Sequence, residues 1–125
     1  MYRLLIVDDE PDIADGLYIF FRNVEHLELD VYKAYSGSEA IEVLNHTKID
    51  IVLTDICMPG LTGLNMLEKI HASWPQCRVI FLTGHEEFDY VYTAIKYEGV
   101  SYLLKTEGYD QIAKAVEKAI DQIEA

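Results

Sequence analysis

IVLTDICMPG, residues Ile51 to Gly60, sets four strand-forming residues ahead of one aspartate, and a proline-glycine turn signal follows. A short continuous apolar run bounded by turn residues reads as a strand covered on both faces, as in parallel sheets. Asp55 therefore stands at the carboxyl end of a buried strand. That segment holds no Lys or Arg, and an uncompensated carboxylate at such a depth is costly. The pattern recurs in both directions along the chain. Upstream, LLIV (Leu4 to Val7) is a buried run ending in Asp8, Asp9 and Glu10, and downstream VIFLT (Val79 to Thr83) is another.

Helical spacing fills the intervals between these runs. Ile13, Leu17, Phe20 and Val24 follow the first strand, and Leu64, Leu67 and Ile70 follow Asp55 until Trp74-Pro75 closes that helix. Leu27, Leu29 and Val31 alternate with Glu28 and Asp30, the period of a half-buried strand best placed at a sheet edge. Ser36 and Glu39 form an S-x-x-E capping box for a helix that turns Ile41 and Leu44 inward. A fourth helix is expected from about Glu87 to Tyr97, with Val91, Ala94 and Ile95 on one side and Gly99 ending it. The strand Val100 to Leu104 and a last helix presenting Ile112, Val116, Ala119 and Ile123 complete the chain. Five strands alternating with five helices predict an α/β fold, a doubly wound parallel sheet joined by right-handed crossovers.

Composition bounds the function. The 125 residues are half hydrophobic, enough for one domain, 1–125, with an ordinary core and no disulfide or metal staple. No apolar run approaches the roughly 18 residues of a membrane span, and the opening MYRLLIVDDE lacks a signal-peptide layout, so a cytoplasmic protein without membrane contact is expected. Cys57 and Cys77 lack C-x-x-C spacing and are expected as reduced thiols. A formal charge of -12 repels phosphate backbones, so this domain is expected not to bind nucleic acid directly. If it controls a gene, another domain touches the DNA.

In an open α/β sheet, ligands bind beyond the carboxyl ends of the strands. Asp8, Asp9 and Glu10, Asp55, Thr83-Gly84 and Lys105 all end strands, so they are expected at one rim. Converging aspartates repel by roughly 4 kcal/mol per close pair at an effective dielectric near 20, which calls for a cation or a shared proton. Mg2+ suits such oxygen ligands and keeps open positions for a phosphate oxygen. The lack of converging His and Cys residues argues against zinc. Lys105 could neutralise an added phosphoryl group, Thr83 could hydrogen-bond one of its oxygens, and Gly84 leaves room for a donor. Taken singly, Asp8-Asp9 reads equally well as a pair of helix-capping acids, Thr83 as a strand end and Lys105 as a surface charge. Their joint placement carries the functional reading.

These residues resemble the receiver domains of two-component response regulators over essentially the whole chain. The resemblance rests on LIVDDEP at the first strand, DIVLTDICMPGLTG around Asp55, VIFLTG at the fourth strand and YLLK at the fifth. It implies a flavodoxin-like, CheY-like sheet of order 2-1-3-4-5. It also implies Asp55 as phosphoacceptor, Asp8 and Asp9 as the Mg2+-holding acids, and the backbone carbonyl of Cys57 as a further metal ligand. Thr83 would then be the switch hydroxyl, Lys105 the phosphate-contacting cation and Tyr102 the aromatic that follows the switch. The implied partner is a sensor histidine kinase, whose phosphohistidine supplies the phosphoryl group. The domain would be a signalling acceptor that assists its own phosphorylation and dephosphorylation, not an enzyme in its own right.

Family members usually carry proline after the strand-five lysine, often with a cis peptide. Here Thr106 follows, a trans peptide is expected, and Lys105 is expected to sit differently. Tyr90, Tyr92, Tyr97, Tyr102 and Tyr109 gather on the fourth helix, fifth strand and last helix, or just before that helix begins. The resemblance makes this the face receivers use for partners or for a homodimer, and seam packing of single tyrosines is the plainer alternative. The FDY and AIK segments look like receivers attached to AraC-type helix-turn-helix output domains. A pseudo-receiver working without phosphate would commonly lose an acid, the acceptor or the lysine, and this chain keeps them. A haloacid-dehalogenase-type phosphatase needs a second aspartate at the position of Cys57. A flavodoxin-like cofactor binder needs a phosphate-cradling first loop, which here is acidic.

Overall fold

The apolar runs form strands, and the amphipathic intervals form helices laid over them. The computed structural model describes residues 1–84 and 96–125. In chain order the elements are β1 (Tyr2–Val7), α1 (Pro11–Arg22), β2 (Leu29–Ala34), α2 (Gly37–His46), β3 (Ile51–Asp55), α3 (Gly63–Ser73), β4 (Arg78–Thr83), β5 (Val100–Leu104), a 3-10 turn (Lys105–Glu107) and α4 (Tyr109–Glu124). The sheet order is β2-β1-β3-β4-β5 and every pair is parallel. The described residues thus hold the expected strands and four of the five expected helices; the helix expected from Glu87 lies largely outside them. No described helix is long and apolar enough to cross a membrane.

Local chemistry explains the boundaries. Pro11 opens α1 at a position where a missing N–H costs nothing. The Ser36 hydroxyl accepts from the Glu39 N–H at 3.1 Å. Glu39 reaches back at 3.4 Å to the N–H of Tyr35, one residue before its partner in a standard capping box. Thr62 caps α3 by accepting from the Asn65 N–H at 3.2 Å. Gly108, at φ +87°, supplies the left-handed backbone that leads into α4.

Two cores result, one on each face of the sheet. Val7, Val52, Val79 and Phe81 pack against α2 and α3, while Leu4, Ile6, Leu53, Ile80 and Leu82 pack against α1 and α4. Phe21 and Phe81 are buried outright, so truncating either to alanine would cost about 3–5 kcal/mol. On α1 the buried stripe is Ala14, Leu17 and Phe21. The expected Phe20 instead lies against the Tyr109 ring at 4.8 Å between centroids. Tyr97 meets the His71 ring edge-on at 5.1 Å and joins the α2–α3 core. These two tyrosines therefore pack over seams on opposite faces of the sheet, although Tyr109 keeps 46% of its surface exposed, and Tyr102 on β5 is exposed at 43%. Tyr90 and Tyr92 lie outside the described residues.

Candidate functional site

Parallel pairing puts every strand's carboxyl end on one rim. Val7 aligns with Thr54, Asp55 with Leu82, and Thr83 with Leu104, so Asp8, Asp55, Thr83 and Lys105 are neighbours although remote in sequence. One carboxylate oxygen from each of Asp8, Asp9 and Asp55 lies within 4.8 Å of the others, and this is the one such acidic, His or Cys cluster among the described residues. Asp8 and Asp55 are buried, and Asp9 is more open.

Asp55 Oδ2 pairs with Lys105 Nζ at 3.2 Å, and Asp55 Oδ1 accepts from the Cys57 N–H at 3.4 Å. Asp8 Oδ1 accepts from the Glu10 N–H at 2.9 Å, while Asp8 Oδ2 is buried with no hydrogen-bond partner. Burial pushes the Asp55 carboxyl up to about 6, with Lys105 pulling the other way and the nearby Asp8 charge adding to the rise. Asp8 is also raised, chiefly by burial, against the opposing pull of the Glu10 N–H and Lys105. An ion pair and a raised carboxyl on Asp55 are compatible, because one partly exposed ammonium does not repay the loss of water around that carboxylate.

Three carboxylates within 4.8 Å carry roughly 3 to 4 kcal/mol of repulsion per pair at an effective dielectric near 20, and Lys105 offsets one charge of the three. The orphaned Asp8 oxygen and the all-oxygen donor set fit a hard divalent cation such as Mg2+. The Cys57 thiol does not join the cluster.

Thr83 is buried at the end of β4, its hydroxyl 3.5 Å from the Leu103 carbonyl, a long and weak bond. There is no cis peptide among the described residues, so Lys105-Thr106 is trans. Lys105 nonetheless reaches Asp55. The 3-10 turn does the placing: Glu107 accepts from the Leu104 N–H at 2.9 Å, tying the turn to the end of β5. The loop departs from the family pattern as expected, whereas the lysine head still lies at Asp55.

Two contributors escaped sequence reasoning. Glu107 is one, legible afterwards as an acid three residues beyond the strand's last N–H. Gly63 is the other. Its N–H donates to the Ile56 carbonyl at 2.9 Å, and an added Cβ would sit 2.8 Å from the Asp55 carbonyl oxygen and the Ile56 backbone. The start of α3 thus presses directly on the exit of β3. The sequence signal was Thr62 as an N-cap with glycine immediately after it.

Comparison with known proteins follows the same lines. The family model for the response regulator receiver domain matches residues 4–117. The uncharacterized transcriptional regulatory protein YesN of Bacillus subtilis is 37% identical over 98% of this chain and 33% of its own length. A two-component transcriptional regulator AraC from Clostridium phytofermentans is 34% identical, with a TM-score of 0.88 over 98% of this chain and 95% of that one. The response regulator TrrA of Thermotoga maritima, solved in complex with Mg2+ and BeF, is 28% identical with a TM-score of 0.81 over 95% and 99% of the two chains. The chain spans about a third to a half of the curated relatives it matches. Sheet order, rim chemistry and these likenesses agree: the chain belongs to the response regulator receiver domains, the signalling domains found in transcriptional response regulators of two-component systems.

Proposed function

We propose that residues 1–125 form one receiver domain in which Asp55 accepts a phosphoryl group from the phosphohistidine of a sensor histidine kinase. The observation that carries this reading is the buried Asp55 carboxylate, flanked by two further acids and reached by Lys105. A carboxylate oxygen of Asp55 attacks phosphorus, the P–N bond breaks with its electron pair leaving on the imidazole, and an acyl phosphate forms. Asp8, Asp9, Asp55 and the Cys57 carbonyl would hold Mg2+, which when bound supplies positive charge against the transferring phosphoryl oxygens. Lys105 and the Thr83 hydroxyl bind those oxygens once they arrive. Hydrolysis of the mixed anhydride, assisted by the same groups, resets the domain.

The readout runs through β5. Thr83 exchanges the Leu103 carbonyl for the phosphoryl group, and Tyr102, on the same strand, reorients with it. Moving a population from 1:99 to 99:1 takes about 5.5 kcal/mol, which new charge-assisted bonds from Lys105 and Thr83 can supply between them. The output is transcription, through an AraC-type helix-turn-helix domain elsewhere in the full protein, in the cytoplasm. Self-association falls to the side built on β5 and α4.

Intact mass after incubation with acetyl phosphate and Mg2+ tests the proposal. Wild type gains one phosphoryl mass and Asp55→Asn does not. Absence of labelling on wild type, beside a receiver that labels, defeats the function; equal labelling of Asp55→Asn defeats the acceptor.

A further inference from the structure

β5 is the last strand of the sheet, hydrogen-bonded to β4 alone among the described residues. In a parallel pair, alternate residues direct their N–H and C=O to one neighbour or the other. The Leu104 N–H points away from β4, because Glu107 takes it, so Tyr102 and Val100 share that outward side. A groove of about 410 Å3 runs beside this edge, between residues 99–103 and one side of α4.

Its charge is opposite to that of the molecule. The chain carries 22 acids against 10 bases, yet among the described residues the groove is lined by Arg78, Lys114 and Lys118 with no Asp or Glu. None of the three lies within ion-pair distance of a carboxylate among the described residues. On α4 the signs are sorted by position: Lys114 and Lys118 stand one turn apart beside Gln111 and Gln122, while Glu117 turns away to meet His26 at 2.5 Å. Arg78 lies over Gly99 at the start of β5, where a Cβ would meet its guanidinium at 3.1 Å. Leu103 packs on the α4 side of the sheet, and Ser101 shares that side by alternation.

We infer that this edge receives an extended acidic peptide segment of a partner protein, which adds a strand to β5 and sets alternate Asp or Glu side chains against Lys114 and Lys118. The spacing matches. Residues four apart on a helix rise about 6 Å, and alternate residues of a strand about 6.7 Å. Main-chain pairing with Val100 and Tyr102 supplies affinity, and the lysines select acids at every second position. The inference concerns the side to which self-association was assigned but gives its edge a different occupant, and it does not depend on the chemistry of Asp55.

The test uses the 125-residue protein and a fluorescent peptide Thr-Glu-Val-Glu-Val-Glu-Thr, followed by anisotropy at about 50 mM salt, where exposed charges are weakly screened. Saturable binding is expected, weakened at least about tenfold by Lys114→Gln with Lys118→Gln and lowered again at about 300 mM salt. A second peptide N-methylated at alternate amides keeps its charge and loses edge pairing, and is expected not to bind. No binding of the first peptide, or binding indifferent to the lysine substitutions or to N-methylation, overturns the inference. So does sedimentation showing that the lysine pair instead holds two copies of this chain together.

Discussion

Replacing Asp55 by asparagine is expected to stabilise the metal-free protein at neutral pH. The Asp55 carboxyl is raised from 3.8 to about 6 by burial, so the folded state holds that proton more tightly than the unfolded chain. A raised acid contributes full stability below about pH 3.8, loses it as pH climbs through the window, and has lost all of it above about pH 6. The gap is about two units, and at 1.36 kcal/mol per unit it amounts to about 3 kcal/mol. Losing the Lys105 partner takes some of this back, although at 28% exposed that ammonium can turn toward water. A net gain of about 1–3 kcal/mol at pH 7.5 remains for Asp55→Asn, shrinking to within about 0.5 kcal/mol at pH 4. Urea unfolding followed by circular dichroism in EDTA measures both values, and the other carboxylates cancel in the difference. Mg2+ is then expected to raise the wild-type midpoint and leave the variant's unchanged, because only the native wild-type cluster binds it. A variant less stable than wild type in EDTA at pH 7.5, or a gap equal at both pH values, refutes the view that Asp55 is a carboxylate held ionised at a cost.

Other substitutions separate the roles of its neighbours. Asp8→Asn removes the orphaned oxygen and is expected to abolish the Mg2+-induced rise in Tm without lowering the metal-free Tm. Lys105→Ala is expected to cut phosphoryl labelling from acetyl phosphate by about 1 to 2 orders of magnitude while Mg2+ affinity, read by titration calorimetry, does not weaken. Thr83→Ala loses only a long bond to Leu103, so urea midpoints should place its stability within about 1 kcal/mol of wild type. Gly63→Ala forces a methyl against the Asp55 and Ile56 backbone, with an expected loss of about 1–3 kcal/mol by the same assay.

Strand identity and the rim were legible because both follow from local pattern. Continuous apolar runs cannot be confused with the alternating Leu27–Val31 stretch, and strand ends in a parallel sheet fall on one side whatever the loops do. Helix faces were less legible. Phe20 and Phe21 stand about 100° apart on α1, and which of them enters the core depends on Tyr109, far along the chain, offering Phe20 a ring to lie on. The candidate site residues were readable only together, since acids, hydroxyl and lysine each end a strand and it is their shared rim that singles them out. Their energetics were not. The orphaned oxygen on Asp8, the raised carboxyl of Asp55 and the placement of Lys105 by Glu107 arise only when separate strand ends are brought together.

The contact at Gly63 has a consequence for how such a domain diversifies. With backbone atoms 2.8 Å from where a side chain would begin, that position offers no room for variation, and the exit of β3 is fixed along with it. Substitution elsewhere can therefore proceed while Asp55 stays where the first turn of α3 holds it. Its location is closed to selection by the lack of space for one methyl group.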